Sequence, residues 1–455
     1  MEPSAGASTS QVSWLDFKPE EYDDLLAAKV TRTRELFAHH LSQSTPFEVN
    51  PSAPAHFRER ARFAIARFPP VDGPLRYALF DGGSPSVAVD QFPIASLHIN
   101  RQMPPLLAAV NREAALGDRL AAVHFLGTTT GEMLVSLIYA GAPLPPGWHE
   151  AAQCLHEELN ALESSEATSA TGSDQVAGIL RVSVLGRCKG DCVVVGRDYV
   201  EERIPLADGR RLTYRQVEGS FSNPSAAMCS ATLDFLCKCA TAAAADVAAR
   251  EVASNEANAL RLPNLLELYC GNGNHTCALG SHFARVLAVE IDRKLCDAAE
   301  LNLRSNGVDN ASVLCASSGK FCKRLLRKIR QAKSQPLPTL EPAAECTSGV
   351  TAEGTTAVAS ESAEAIWMRE AVERTDVVLV DPPRCGLDAE TRQLVSLYDH
   401  ILYVSCNPSA LLTDLEAIGS DFVVERLAIF DHFAYSHHLE VGVHLRRASA
   451  KLAVT

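Results

Sequence analysis

Cys406, in the string Ser405-Cys406-Asn407-Pro408, and Glu440, closing His437-His438-Leu439-Glu440, are the two residues whose types and settings point most directly to chemistry. One offers a thiolate nucleophile and the other a carboxylate base, a pairing suited to an electron-poor ring. Each is expected at the end of a β-like run, Ile401 to Val404 for the cysteine and the stretch after Phe430 for the glutamate. An Asn-Pro turn directly after Cys406 is not what a buried structural thiol requires. It argues for a functional one.

Strand-like and helix-like runs alternate from Leu265 onward: LLELYC, a helix from Thr276 to Phe283, VLAVEI, a helix from Arg293 to Asn306, SVLCA, then DVVLVDPP and HILYVSCNP. Near-continuous apolar strands joined by helices predict a parallel sheet covered on both faces. The earlier half reads differently. Pro19 to Leu41 has helical spacing, Phe57 to Phe92 breaks into short alternating runs, and further strands are expected at Met133 to Tyr139, Ile179 to Leu185 and Cys192 to Val195. With helices around Arg101 to Ala115 and Trp148 to Leu162, this half is expected to be an α/β module on an antiparallel sheet. The domains expected are a disordered tail over 1–14, the first module over 15–218, and the second domain over 219–455. Its Pro-, Ser-, Thr- and Glu-rich segment 334–364 reads as a disordered insertion without catalytic residues.

The chain has 455 residues, 47% of them apolar and 21% charged, enough to bury two substantial cores. No apolar run is long enough to cross a bilayer, and the start, MEPSAGASTSQ, lacks the features of a secretory signal. The expectation is no membrane association and a cytoplasmic location, with the nucleus open. Fourteen cysteines scatter through apolar segments without regular pairing. Cys188 with Cys192 and Cys237 with Cys239 are local clusters lacking a matching second half, so no metal is expected. A net charge of −13 excludes a uniformly basic coat. Arg58, Arg60, Arg62 and Arg67 nonetheless alternate along one run, and Lys323, Arg324, Arg327, Lys328, Arg330 and Lys333 recur at helical spacing. Either set suits phosphate contact or a solvated face.

Leu265 to Asn274, LLELYCGNGN, is a strand entering a glycine-containing turn at a helix start, where open α/β sheets bind ligands. A third glycine of the dinucleotide fingerprint is missing, since Thr276 stands there. The next strand ends at Glu290, placed to accept hydrogen bonds from ribose hydroxyls. Asp381-Pro382-Pro383-Arg384 ends another strand, because consecutive prolines cannot continue a central ladder. Three such features on one sheet edge point to a nucleoside cofactor.

The strings YRQVEGSFSNPSAAM (Tyr214 to Met228), LLELYCGNGN, LAVEI, VDPPRCGLD, ILYVSCNP and FDHFAYSHHLEVGV (Phe430 to Val443) resemble the tRNA (uracil-5-)-methyltransferases of the bacterial TrmA type. The resemblance runs from about Glu20 to Arg447 and is weaker before Tyr214. It implies a class I (Rossmann-like) seven-stranded methyltransferase domain preceded by an RNA-binding module, S-adenosyl-L-methionine as cofactor, and the T-loop uridine of tRNA as target. In that chemistry Cys406 adds to uracil C6, making C5 nucleophilic, and Glu440 removes the C5 proton after methyl transfer. The cofactor contacts it implies are Tyr269, Asn274, Glu290 and Asp381, with Asn223 where the family carries Gln. Ala434 stands where the family has Pro. The expected partner is the T-arm of tRNA; the sequence does not fix the oligomeric state, a monomer being favoured.

His437 and His438 are read as hydrogen-bonding groups that position Glu440 or the RNA. Arg384 suits either an RNA phosphate or an acidic partner, and Phe221 and Tyr435 are either stacking faces for an everted base or core aromatics. Two other functions stay open: a ribosomal-RNA uracil-5-methyltransferase, whose usual iron–sulfur cysteines or extra β-barrel are not visible here, and a tRNA-binding folding factor with dispensable methylation. An amino-methyltransferase would need an aromatic residue where Arg384 stands.

Overall fold

Apolar residues alternate with basic ones along Arg60–Arg67, and the strand they form buries Phe63 and Ile65 while Arg62 and Arg67 stay exposed. The computed structural model describes residues 17–68, 73–81, 84–166, 181–220, 222–253, 262–334 and 376–448. The expected tail 1–14, Phe221 and all but the first residue of the expected insertion lie outside these. In chain order the first strands are β1 (Phe47–Asn50), β2 (Arg60–Arg67), β3 (Leu75–Asp81), β4 (Ser84–Val89), β5 (Leu120–Gly127), β6 (Glu132–Tyr139), β7 (Arg181–Cys188) and β8 (Asp191–Val195). β2 to β8 form one sheet in the order β4-β3-β2-β5-β6-β7-β8. Its pairs are antiparallel except β6 with β7, which run parallel. The helix Trp148–Glu166 lies between those two strands in sequence and returns the chain across the sheet, as a parallel neighbour requires. The hairpin of β9 (Tyr199–Pro205) and β10 (Arg211–Val217) stands apart as a two-stranded sheet.

The long helix Ala226–Ala253 then leads to β11 (Asn264–Leu268), β12 (Arg285–Glu290), β13 (Ala311–Cys315), β14 (Val377–Val380), β15 (His400–Ser405), β16 (Phe422–Phe430) and β17 (Glu440–Arg447). These seven make the expected Rossmann-like sheet, in the order β16-β17-β15-β14-β11-β12-β13, with β17 antiparallel to both neighbours. β1 adds an eighth strand, parallel to β16, with Phe47 opposite Leu427. No strand is expected at Phe47–Asn50 from the sequence, although the segment falls within the first module's expected bounds, 15–218. Pairing at β16 covers an edge whose backbone groups would otherwise lie open. The helix Tyr22–Leu36 follows the same course, and Phe37 beyond it is buried in the cluster that contains Leu427 and Leu445.

Strand order reverses between β11 and β14, so the loops leaving their carboxyl ends part and open a crevice. Every residue of β11, β14 and β15 is buried, which fixes that edge rigidly. Among the described residues, no helix is long and apolar enough to cross a membrane.

Candidate active site

β15 buries all six of its residues and ends at Ser405, so Cys406 emerges at the sheet edge. Pro408 opens the next helix, Pro408–Ile418, where a missing N–H costs nothing. Asn407 between them donates from Nδ2 to the Arg384 carbonyl (2.9 Å), and its N–H donates to Ser405 Oγ (3.1 Å). The Asn-Pro turn therefore ties Cys406 to the loop after β14. β15 pairs with β17 so that Ser405 faces Val441, which brings Cys406, just beyond β15, and Glu440, the first residue of β17, to the same edge of the sheet.

These two residues share the walls of one cavity of about 640 Å³ with Asn223, Tyr269, Asn274, Glu290 and Asp381. The two residues expected to do chemistry and the five expected to contact the cofactor thus meet in one place. The glycine turn after β11 carries three of them on or beside it. Gly273 has φ 76°, a conformation that favours glycine, and a Cβ there would crowd Ala299 Cβ at 3.2 Å. Tyr269 has φ 63° without being glycine, a conformation of the kind that persists where surrounding structure enforces it.

Glu290 Oε1 accepts the N–H groups of Ile291 (2.7 Å) and Asp292 (2.8 Å), and Oε2 accepts that of Gly271 (3.1 Å). Its carboxylate is held rigidly across the turn. Asn274 is anchored by its side-chain contact with the Cys229 thiol, Nδ2 lying 3.3 Å from Sγ, while the Tyr214 hydroxyl donates to its carbonyl at 2.8 Å. Burial pushes the Asp381 carboxyl up to about 7 despite His275, leaving a group able to accept or donate near neutral pH. A rigid carboxylate at one strand end, a second carboxyl at another, and a close-approach turn between them fit a nucleoside-bearing cofactor.

Sequence reasoning missed the groups that tune the pair. Burial alone would raise the Glu440 carboxyl, but His432, followed by His275, outweighs burial and holds it below the usual range. His432 is fully buried and its Nε2 lies 3.4 Å from Glu440 Oε1. The histidine that meets Glu440 is therefore His432, eight residues earlier in sequence. His437 is exposed, and the His438 backbone N–H bonds Ser436. His275 is buried beside Glu267, which also accepts the Thr276 hydroxyl at 2.5 Å. Around Cys406, burial first and then Asp381 and Glu440 push the thiol up, while Arg384 draws it down through charge and a hydrogen bond. Arg384 thus faces the thiol, a neighbour neither of its two expected roles included.

Glu59, Leu126, Glu202 and Gln216 close the cavity from the first sheet and the hairpin. The Arg60 guanidinium donates to Ser222 Oγ (3.1 Å) and the Ser220 carbonyl (2.8 Å), bracing the segment before Asn223. Arg62 and Arg67 remain exposed, as do Lys323, Arg324, Arg327, Lys328 and Arg330 on the helix Ser318–Ser334; the Lys333 side chain lies outside the described positions. Tyr435 is buried, donates to the Pro54 carbonyl, and packs 5.1 Å from the Phe17 ring, so it serves the core. Among the described residues, no three His, Cys, Asp or Glu side chains are grouped to hold a metal ion.

The family described as tRNA (Uracil-5-)-methyltransferase matches residues 21–334 and 369–448. A tRNA/tmRNA (uracil-C(5))-methyltransferase of Ectopseudomonas mendocina is 35% identical over 95% of this chain and 98% of its own length. A relative of the same description from Pseudomonas entomophila is 36% identical, over 95% and 99%. Among solved structures, the Pyrococcus abyssi tRNA (uracil-54, C5)-methyltransferase in complex with S-adenosyl-L-homocysteine shares the fold, with a TM-score of 0.55 at 17% identity over 93% of this chain and 83% of that one. The sheet order, its reversed β17 and the carboxylates at its crevice define a Rossmann-like, S-adenosyl-L-methionine-dependent methyltransferase. Within that class, the chain belongs to the tRNA (uracil-5-)-methyltransferase family.

Proposed function

We propose that this protein methylates C5 of uracil in tRNA, at the T-loop uridine U54 named for the archaeal structure, with Cys406 as nucleophile and Glu440 as base. The observation that carries the reading is the pairing of β15 with β17, which brings a thiol and a depressed carboxyl to the wall of one cavity. S-adenosyl-L-methionine supplies an electrophilic methyl group on its sulfonium. Tyr269, Asn274, Glu290 and Asp381 would hold it, with Asn223 offering the family's amide on a shorter stem.

Cys406 adds as thiolate to C6, and the C5=C6 electrons move into an enolate that makes C5 nucleophilic. Arg384 favours the thiolate against the burial and negative charge around it. Once C5 carries the new methyl group, Glu440 as carboxylate accepts the C5 proton. The electrons of that C–H bond re-form C5=C6, and Cys406 leaves as thiolate. Recognition of the T arm by the first sheet and its helices, and a cytoplasmic site of action, belong to the same reading. Unmodified tRNA transcript incubated with S-adenosyl-L-methionine tests it through nucleoside mass spectrometry. The wild type is expected to form 5-methyluridine and Cys406→Ala none; a fully active Cys406→Ala would overturn the mechanism.

A further inference from the structure

The carboxylate of Glu440 follows a loop, residues 431–439, that links β16 to β17 and carries His432. Loops of this length hold shape only where their backbone groups find partners. Here the partner comes from the opposite end of the chain. Lys29, on the helix Tyr22–Leu36, is 4% exposed and directs its ammonium into the loop. Nζ donates to Asp431 Oδ1 (2.6 Å), to the Phe433 carbonyl (2.8 Å) and to the Ala434 carbonyl (3.2 Å). A lysine has three N–H donors, and all three are used on the residues bracketing His432.

The grip is reinforced from the same segment. The Tyr22 hydroxyl donates to Asp431 Oδ2 at 3.2 Å and accepts the Ser52 N–H at 2.7 Å. The Asp431 N–H donates to the Asn50 carbonyl, the end of β1, at 3.1 Å. Asp431 is fully buried, so its charge must be answered, and Lys29 answers it. Three contacts from the N-terminal segment thus converge on one residue, immediately before the histidine that approaches Glu440.

We propose that Lys29 is a positioning residue for the base: by clamping residues 431–434 it keeps His432 against Glu440, so that release of Cys406 from the methylated base depends on the N-terminal helix. This rests on Glu440 being the base. The clamp acts on proton removal, after the covalent bond has formed, whereas Cys406 on the loop after β15 is held by Asn407 and Pro408 without it.

The test compares wild type, Lys29→Arg, the double variant Lys29→Met/Asp431→Asn and Glu440→Gln. Each full chain is incubated with tRNA transcript and S-adenosyl-L-methionine, and the protein–RNA adduct and 5-methyluridine are followed in time. The double variant leaves no unanswered buried charge; it is expected to form adduct at near the wild-type rate and to release it about tenfold more slowly, within the range a displaced general base loses. Lys29→Arg keeps the ion pair, but its planar fork does not reproduce three diverging donors, so it is expected to fall between. A folded double variant with normal release overturns the proposal, as does an equal fall in adduct formation and release, which marks a general packing defect. If the double variant does not fold, Lys29→Arg decides: normal release in it overturns the proposal. Glu440→Gln separates the layers, because absence of trapped adduct there defeats the assignment of the base itself.

Discussion

His432 Nε2 lies 3.4 Å from Glu440 Oε1, with the imidazole enclosed in the wall of the cavity. The distance exceeds a good hydrogen bond, so charge carries most of the interaction. With His275 it turns a carboxyl that burial would raise into one that is ionised below the usual range. His432→Gln is expected to let that carboxyl rise. A base works only when deprotonated, so the loss falls on the acid side: turnover should drop about tenfold at pH 6 and much less at pH 8.5. Steady-state rates across pH check this, and equal losses at both ends would refute it.

Arg384 opposes the burial and the two carboxyls that raise the Cys406 thiol. Removing its charge in Arg384→Gln should push the thiol further up and cut the thiolate fraction about three- to tenfold at pH 7.5. Iodoacetamide labelling of Cys406, followed by peptide mass spectrometry without RNA, reads this directly. The deficit should shrink toward pH 10; a labelling rate unchanged at pH 7.5 would separate Arg384 from the thiol.

Burial pushes the Glu59 carboxyl up to about 7, Glu202 adding to the rise, and its Oε2 is buried without a hydrogen-bond partner. A carboxyl raised on folding contributes stability that is full below about pH 4.5, its ordinary value, and is lost as pH climbs through 7. Glu59→Gln should remove that loss. Urea denaturation is expected to show about 1–2 kcal/mol of gain at pH 8.5 relative to the effect at pH 5.5. No difference between the two pH values would show that Glu59 stays charged at little cost.

Gly442 sits on β17 two residues beyond Glu440, and a Cβ there would lie 2.7 Å from Phe235 Cε1 and 3.1 Å from Phe430 Cε2. Both rings are buried and pack edge to face at 5.8 Å, so neither can yield cheaply. Gly442→Ala should destabilise the fold by about 1–3 kcal/mol. A denaturation midpoint equal to wild type would mean that the rings have room the packing does not show.

β11 to β15 were legible because each is a local apolar run, and Cys270 to Gly273, Pro382-Pro383 and Asn407-Pro408 announce where the chain must leave the sheet. The β-like run expected to end at Glu440 is instead the loop 431–439, held by side-chain contacts, and Glu440 opens β17. The first half was harder. β1 is only four residues long, and nothing in its own composition says that it pairs with β16 rather than with the strands that follow it. The hairpin β9–β10, which walls the cavity with Glu202 and Gln216, passed unnoticed as a pair of strands because its charged alternation resembles surface loop.

The sequence by itself determined which residues are candidates, Cys406 and Glu440 for the chemistry and Glu290 and Asp381 for the cofactor, and most of the sheet that presents them, since each lies in a short contiguous string whose chemistry and turns are local. The tertiary structure decided which groups set the ionisation and position of that pair. His432 replaced the adjacent histidines as the neighbour of Glu440, Arg384 came to face Cys406, and Lys29 met Asp431 across 402 residues of chain. Such meetings depend on strand order, crossovers and the covering of an open sheet edge. Linear spacing carries no trace of them, because the free energy that selects them is the burial of whole faces rather than the preference of any one segment.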